Sequence, residues 1–319
     1  MPREQQVSRK VSWLLRHGAG QEGLKLGKGG YVSVDEALNT QSLRKLQVTF
    51  PELREVVRTN DKKRFSMVLK ERLEKIGEEE AEKGAAEDEE DISNAGEEDE
   101  DASKWMIRAN QGHSIKVDTE GLLTPITLEA GNIPNTVVHG TDEPAWNLIL
   151  KSGGLRRMGR NHIHFASGLP AGFRSLSSSS PATEQEKEAP PVISGMRKSS
   201  TVLVYIDTKA ALQAGVKFFI SENGVILTEG NDEGFLSYQY FKSVENRKNG
   251  SVLMSEGVLP EGAVVDMEAW EKEVGGRGGK GGRGRGGRGG RGGKGGRGGR
   301  DGGGKARAND DSGDLMAGV

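Results

Sequence analysis

The 319-residue chain holds 45 Lys+Arg against 47 Asp+Glu, 48 glycines and no cysteine, with 33% hydrophobic and only 5% aromatic residues. Such an average belongs to no single compact globule; it mixes segments of opposed character. Residues 77–103 carry 14 acids and one base, residues 275–307 carry 11 bases, one acid and 20 glycines, and the remainder is nearly neutral. The net charge of −2 therefore does not exclude a nucleic-acid partner, because position and not the total decides where an anion is attracted. Zero cysteines exclude disulfide frameworks, thiolate nucleophiles, Cys-type zinc sites and iron–sulfur clusters. The opening MPREQQVSRK lacks an apolar signal core, and no stretch reaches the roughly 20 apolar residues of a membrane span. A soluble nuclear or cytoplasmic protein without a membrane partner is expected.

In chain order, VSRKVSWLLRHG places Val7, Val11, Leu14 and Leu15 at helical spacing, with Gly18 as a C-terminal stop. GLKLGKGGYVSVDEAL has two short apolar-alternating runs around Gly27-Lys28-Gly29-Gly30, a turn-plus-strand signal, and Asp35 opens an acidic helical turn before Ala37 and Leu38. Helices are predicted over 42–46 and 50–59, the second with Pro51 in its first turn, and DKKRFSMVL reads as a turn feeding a strand. Residues 1–76 thus suggest a small winged-helix-like lobe. The acidic run 77–103 repels itself and has almost nothing apolar to bury, so it reads as a disordered linker, with an acidic docking segment as the lesser alternative.

Residues 104–250 are strand-rich. WMIRANQGHSIKV, TVVHGTD, HIHFA, STVLVYID, KFFISENGVILTEG and FLSYQYFKSV are β-like runs, interrupted by helices predicted over 143–152 and 208–214. That is an α+β pattern and not a regular βαβ alternation. A Ser/Pro/Glu-rich insertion at 175–191 looks flexible, residues 251–274 finish the folded part, and 275–319 form a disordered Gly/Arg tail. Such a tail binds phosphates and stacks on bases without sequence preference; a passive solubilising role is the alternative.

All five histidines sit in polar, Gly- and Arg-containing phrases: LLRHG (His17), RANQGHS (His113), VVHGT (His139) and RNHIHF (His162, His164). His162 and His164 alternate across one residue, so on a strand they share a face. No HExxH and no carboxylate at ligand spacing accompanies them, and no metal is expected. The arginines point instead to phosphate. Arg16 adjoins His17, Arg64 closes the DKKRF turn, Arg108 opens RANQGHS, Arg160 precedes NHIH and Arg197 sits in SGMR, and guanidinium forks match phosphate oxygens in pairs. The Asn110, Gln111 and Ser114 of NQGHS and the Gly140-Thr141 of HGT add small residues and neutral donors suited to pyrophosphate and ribose hydroxyls. Neither GxGxxG nor GxxxxGK[ST] occurs in the folded part.

Together, VSWLLRHG, the GYV turn-strand, NDKKRF, IRANQGHS, VVHGT, RNHIHF, SGMR and FFISENGVILTEG followed by YF resemble the RNA 2′-phosphotransferases of tRNA splicing, in unbroken order from about residue 7 to 244. The resemblance implies a winged-helix lobe joined to an ADP-ribosyltransferase-like lobe, with NAD⁺ consumed as co-substrate. It implies that an internal RNA 2′-phosphate attacks the anomeric carbon of the nicotinamide ribose and releases nicotinamide. The ribose 2″-hydroxyl then attacks the phosphorus, giving RNA 2′-OH and ADP-ribose 1″,2″-cyclic phosphate. The family's catalytic residues fall on Arg16, His17, Arg64 and Arg160. Its NAD⁺ contacts fall among Arg108, Asn110, Gln111, His113, Ser114, His139, Gly140, Thr141, His162, His164, Ser194 and Arg197. A third strand carries Val225-Ile226-Leu227, with Glu229 beyond. Protein-modifying relatives of the wider superfamily use a glutamate on that strand and this family an aliphatic residue, and the register that decides between them stays open. The expected partner is 2′-phosphorylated tRNA or other RNA, acted on by a monomer. The alternatives are an ADP-ribosyltransferase acting on nucleic-acid terminal phosphates or protein, and a non-enzymatic RNA-binding protein.

Overall fold

Apolar residues at helical spacing in the first sixty positions find a common core in a computed structural model that describes residues 1–73, 101–170, 195–197 and 199–278. Helix α1 (Arg3–Trp13) buries Val7 and Val11. The short helices α2 (Val34–Leu38) and α3 (Gln41–Lys45) follow. In α4 (Phe50–Arg58) the Thr49 side chain accepts the backbone N–H of Glu52, Pro51 occupies the first turn, and Phe50, Leu53, Val56 and Val57 form one buried face. These helices cover a three-stranded antiparallel sheet of β1 (Val32–Ser33), β2 (Phe65–Leu69) and β3 (Trp105–Ala109), with β3 in the middle.

Two expectations are corrected here. Trp105–Ala109 was placed in the second lobe. It instead completes the first sheet, because Trp105, Ile107 and Ala109 bury against the helices while its backbone pairs with β2 from Phe65↔Ala109 to Leu69↔Trp105. The run Leu24–Leu26 forms no strand. Gly29 and Gly30, at φ of 62° and 77°, turn the chain tightly, and Val32-Ser33 pairs across to Ile107 and Met106 and not back on its neighbour in sequence.

The rest is built on an eight-stranded antiparallel sheet, ordered β13-β12-β8-β5-β7-β10-β9-β4. Its strands are β4 (Leu123–Ile126), β5 (Val138–Thr141), β7 (Ile163–Ala166), β8 (Val202–Ile206), β9 (Phe218–Ser221), β10 (Val225–Thr228), β12 (Phe241–Asn246) and β13 (Ser251–Ser255). A small ribbon pairs β6 (Gly154–Arg156) with β11 (Phe235–Ser237). Helix α5 (Glu143–Lys151), capped by Asp142 on the Ala145 N–H at 2.9 Å, sets Trp146 against Phe241. Helix α6 (Thr208–Gln213) and helix α7 (Met267–Gly278) complete the described residues. The chain is thus a mixed α/β protein with a large antiparallel sheet. The strands β4, β6 and β13 were not predicted, and α7 carries helix four residues past the expected start of the tail. Residues 101–103 enter a short helical turn, where a linker was expected. The remainder of the acidic run, the 175–191 insertion and the rest of the Gly/Arg tail lie outside the described residues.

Strand alternation divides β7 cleanly: Ile163 and Phe165 enter the second core while His162 and His164 leave by the opposite face. Phe165 is fully buried against Phe218. Phe165→Ala is expected to cost about 3–5 kcal/mol through the cavity it leaves, read from the shift of the urea unfolding midpoint; a cost under about 1 kcal/mol would contradict this packing.

Candidate functional site

The helix that begins at Arg3 does not stop as regular α-helix. Over Leu14–Gly18 it widens into a π-helical turn, a local loosening that often marks functional positions. Gly18 lies under the indole of Trp13, where a Cβ would come within 2.5 Å of the ring, so only glycine fits. The wide turn buries Arg16, 6% exposed, and leaves His17 half-buried.

Residues 110–115 form a strap that meets this turn. Gly112, at φ of 88°, brings its backbone against the Arg16 guanidinium, the Ser114 N–H donates to the Arg16 carbonyl at 3.0 Å, and Ser114 Oγ lies 2.8 Å from His17 Nδ1. The strap begins at Arg64, whose carbonyl accepts the Asn110 N–H at 3.0 Å. It ends on Asn161, whose backbone N–H donates to the His113 carbonyl and whose side-chain amide donates to the Ile115 carbonyl, both at 2.9 Å. Arg16-His17, Arg64 and the Arg160–His162 turn, far apart in sequence, are thereby tied to one six-residue segment.

His113, at the centre of the strap, has the arginines Arg16 and Arg108 and the imidazoles of His17 and His162 as neighbours. Burial, then Arg16, His162, His17 and Arg108, push its pKa down to about 3. It is a neutral imidazole at any physiological pH. Burial also lowers His162, and Arg157 adds to that, while the Glu229 carboxylate, 3.8 Å from its Nε2, opposes it.

Beyond Asn161 an open cleft of about 690 Å³ is lined by the ends of β5, β6 and β7 and by the segment around 195–200. It gathers His139, Gly140, Thr141, Arg160, His162, His164 and Arg197, as the sequence predicts, together with Arg156 and Arg157, which it does not. Asp142 is the one carboxylate in this lining, and its side chain caps α5. The cleft is therefore strongly positive. The His139 Nδ1 donates to the His164 carbonyl at 2.8 Å, so that nitrogen carries a proton and the ring orientation is fixed. Gly140 is required sterically: a Cβ there would fall within 2.2 Å of Met196 and 2.6 Å of Ser200 Oγ. The pairing of β10 with β7 sets Leu227 opposite His164 and Val225 opposite Ala166, so aliphatic residues occupy the cleft face of β10. Glu229 continues that face past the strand end and stands exposed beside His162.

Some predicted contacts are not in the cleft. The Arg108 guanidinium donates to Glu222 at 2.8 Å and to the Gly121 carbonyl at 2.6 Å, and covers the Tyr31 ring at 4.5 Å. Its charge is thus consumed inside the protein. Asn110 is fully buried, with its amide donating to the Lys63 carbonyl and its Oδ1 accepting from Ser66. Gln111 is buried within the strap, and Ser194 lies outside the described residues. Sequence reasoning missed the role of Glu222, whose carboxylate also lies 2.7 Å from the Ser66 hydroxyl and shares its one hydrogen with Asn110, and of Asn223, which donates to the Lys62 carbonyl at 3.0 Å. Both belong to the SENG turn, whose adjacent acid and amide were the only available signal. Among the described residues no group of three or more His, Asp or Glu is gathered as a metal would require, and no helix is long and apolar enough to cross a membrane.

The arrangement can grip several phosphate oxygens at once and move a proton at His17. A family model described as RNA 2′-phosphotransferase, Tpt1/KptA family, matches residues 2–230. The chain is 36% identical to a zebrafish tRNA 2′-phosphotransferase 1 over 246 residues, 77% of this chain and 87% of that protein. It is 36% identical to the human tRNA 2′-phosphotransferase 1 over 245 residues, 76% of this chain and 77% of that one. With the tRNA 2′-phosphotransferase of Saccharomyces cerevisiae it shares 32% over 229 residues, 71% and 79% of the two chains.

The His113 environment yields a direct expectation. Its imidazole should show no NMR titration between pH 5 and 8. Because its folded pKa lies below its ordinary 6.5, the unfolded chain binds the extra proton first, so its contribution to stability is complete above about pH 6.5 and falls away toward pH 3. His113→Gln should flatten that acid limb of the unfolding curve; a His113 midpoint near 6.5 would contradict the buried neutral assignment.

Proposed function

The chain belongs to the RNA 2′-phosphotransferase, Tpt1/KptA family, and from that premise we propose that it transfers the internal 2′-phosphate of spliced tRNA, or of another 2′-phosphorylated RNA, to NAD⁺. Nicotinamide leaves, an ADP-ribosylated RNA phosphate forms, and the products are RNA 2′-OH and ADP-ribose 1″,2″-cyclic phosphate. In this reading residues 1–73 with β3 are the winged-helix-like lobe and the eight-stranded sheet is the ADP-ribosyltransferase-like lobe. The enzyme acts as a monomer and needs no metal.

The observation that carries the reading is the strap. It ties the backbone of Arg16 and Arg64 and the ring of His17 to the turn at Asn161, next to Arg160, which supports a reading in which one phosphate is held from both sides. The donor set fits the co-substrate: cationic forks for a diphosphate, and His139, Gly140 and Thr141 for the sugar and amide groups of a dinucleotide. NAD⁺ itself supplies the electrophilic anomeric carbon. Arg64 and Arg160 neutralise equatorial phosphate oxygens as the phosphorus is attacked. Arg16 adds a third, buried cation. His17, oriented through Nδ1 by Ser114, holds or moves a proton at Nε2.

The test incubates the protein with NAD⁺ and an oligoribonucleotide bearing one internal 2′-phosphate, with products read by mass spectrometry. Wild type should give the 2′-OH oligonucleotide and the cyclic phosphate. Arg64→Ala and Arg160→Ala should slow the second step by about 10²-fold or more, so that ADP-ribosylated RNA accumulates; turnover without that species in either variant would remove their assigned role.

The second reading, ADP-ribosylation of protein or of nucleic-acid termini, would lean on Glu229. Leu227 at the cleft face and Glu229 exposed at its rim disfavour it. Glu229→Gln should keep most of the 2′-phosphate turnover, whereas loss of all transfer in that variant would favour the second reading. A purely RNA-binding role would make truncation after Gly278 abolish function; under the present reading turnover survives it.

A further inference from the structure

Two arginines of the cleft have no part in the chemistry above. Arg156 ends β6 with its guanidinium stacked between the rings of Phe235, at 4.6 Å, and Trp270, at 4.9 Å. Its one hydrogen-bond contact is weak, Nη2 to Met267 Sδ at 3.5 Å, and its Nε is buried without a partner among the described residues. No carboxylate among the described residues pairs with it. Aromatic faces hold a cation by its plane and leave the N–H edges of the fork for an oxygen anion. Arg157 follows, exposed, with its stem lying over Gly234, where a Cβ would come within 2.4 Å of Arg157 Nε. The Arg160 N–H donates to the Arg157 carbonyl at 3.1 Å, so a tight turn sets all three arginines in one wall of the cleft.

Trp270 and Met267 belong to α7, beyond the residues that the family model matches. The helix is fixed to α5 by Lys151–Glu273 at 2.8 Å and by the Asp266 N–H on the Lys151 carbonyl at 2.9 Å. Without it Arg156 would lose one face of its stack and its sulfur contact.

Resting on the function proposed above, the geometry points to a second phosphate-binding subsite, in which Arg156 and Arg157, braced by Trp270 of the C-terminal helix, take a phosphodiester or diphosphate anion beside the reacting phosphate at Arg160. Two molecules carry that chemistry in the reaction: the diphosphate of NAD⁺ and the RNA backbone next to the 2′-phosphate. Arg156 and Arg157 are binding residues, and Trp270 is a positioning residue that acts through Arg156.

Calorimetric titration of the full chain with inorganic pyrophosphate, NAD⁺ and the 2′-phosphorylated oligoribonucleotide tests the subsite. Arg156→Ala and Trp270→Ala should weaken pyrophosphate binding by about tenfold or more, while Trp270→Phe, which keeps an aromatic face, retains most of it. A parallel loss for NAD⁺ assigns the subsite to the co-substrate diphosphate. A parallel loss for the oligoribonucleotide, with its log–log salt slope reduced by about 0.7, assigns it to the RNA backbone. Should Arg156→Ala fail to fold, Arg157→Ala, whose side chain is exposed, serves in its place with a loss of severalfold or more. Absence of pyrophosphate binding to wild type, or binding of all three ligands within about twofold of wild type by a folded Arg156→Ala or Arg157→Ala protein, overturns the subsite. Arg156-dependent pyrophosphate binding in a protein that turns over no 2′-phosphate would overturn the function reading and leave the subsite standing.

Discussion

The strap from Asn110 to Ile115 is the constraint on which the site depends. Each of its hydrogen bonds contributes only about 1 kcal/mol net, yet together they fix the relative position of an arginine–histidine pair, a second arginine and a histidine-bearing strand that come from two separate cores. Phosphoryl chemistry depends on fixed charges already in place, and a displacement of about 1 Å can cost about 10²-fold in rate. A segment that answers to Arg16 and Arg64 on one side and Asn161 on the other suits that demand, because three of its ties join backbone atoms, which relax less than side chains do. The Arg108–Glu222 pair and the Glu222–Ser66 and Asn223–Lys62 bonds reinforce the same junction from its far side.

Charge is distributed accordingly. Arg108 is neutralised internally and ties the three-stranded sheet to the turn after β9, whereas the cleft arginines face a wall whose one carboxylate is occupied by a helix cap. Arg156 shows a third solution, a cation held by aromatic faces, which keeps its hydrogen-bonding edge available. The same residue type does three jobs in one small region, and the difference lies entirely in the neighbours.

That difference explains what could and could not be read from the sequence. The phrases VVHGT and RNHIHF were legible because strand alternation puts His162 and His164 on one face, and the cleft collects both. Helix α4 was legible from its first-turn Pro51, and α5 as a helical stretch interrupting the strand-rich runs. The ion pair of Arg108 was not legible, because its partner Glu222 stands 114 positions away and no local pattern announces a long-range contact. Trp105–Ala109 was given to the wrong sheet for the same reason: the acidic run separates it from β2, its antiparallel partner. The register of β10 depends on pairing with β7, and that alone distinguishes Leu227, facing the cleft, from Glu229 at its rim.

The central claim is that a cleft completed by the strap passes an RNA 2′-phosphate to NAD⁺ and does not merely remove it. Its most direct test follows the phosphorus: an oligoribonucleotide carrying ³²P in a single internal 2′-phosphate is incubated with the protein and NAD⁺, and the released label is separated by chromatography. The label should leave in a small molecule that also contains ADP-ribose, and only when NAD⁺ is present. Release of labelled inorganic phosphate, or release that proceeds without NAD⁺, would contradict the account.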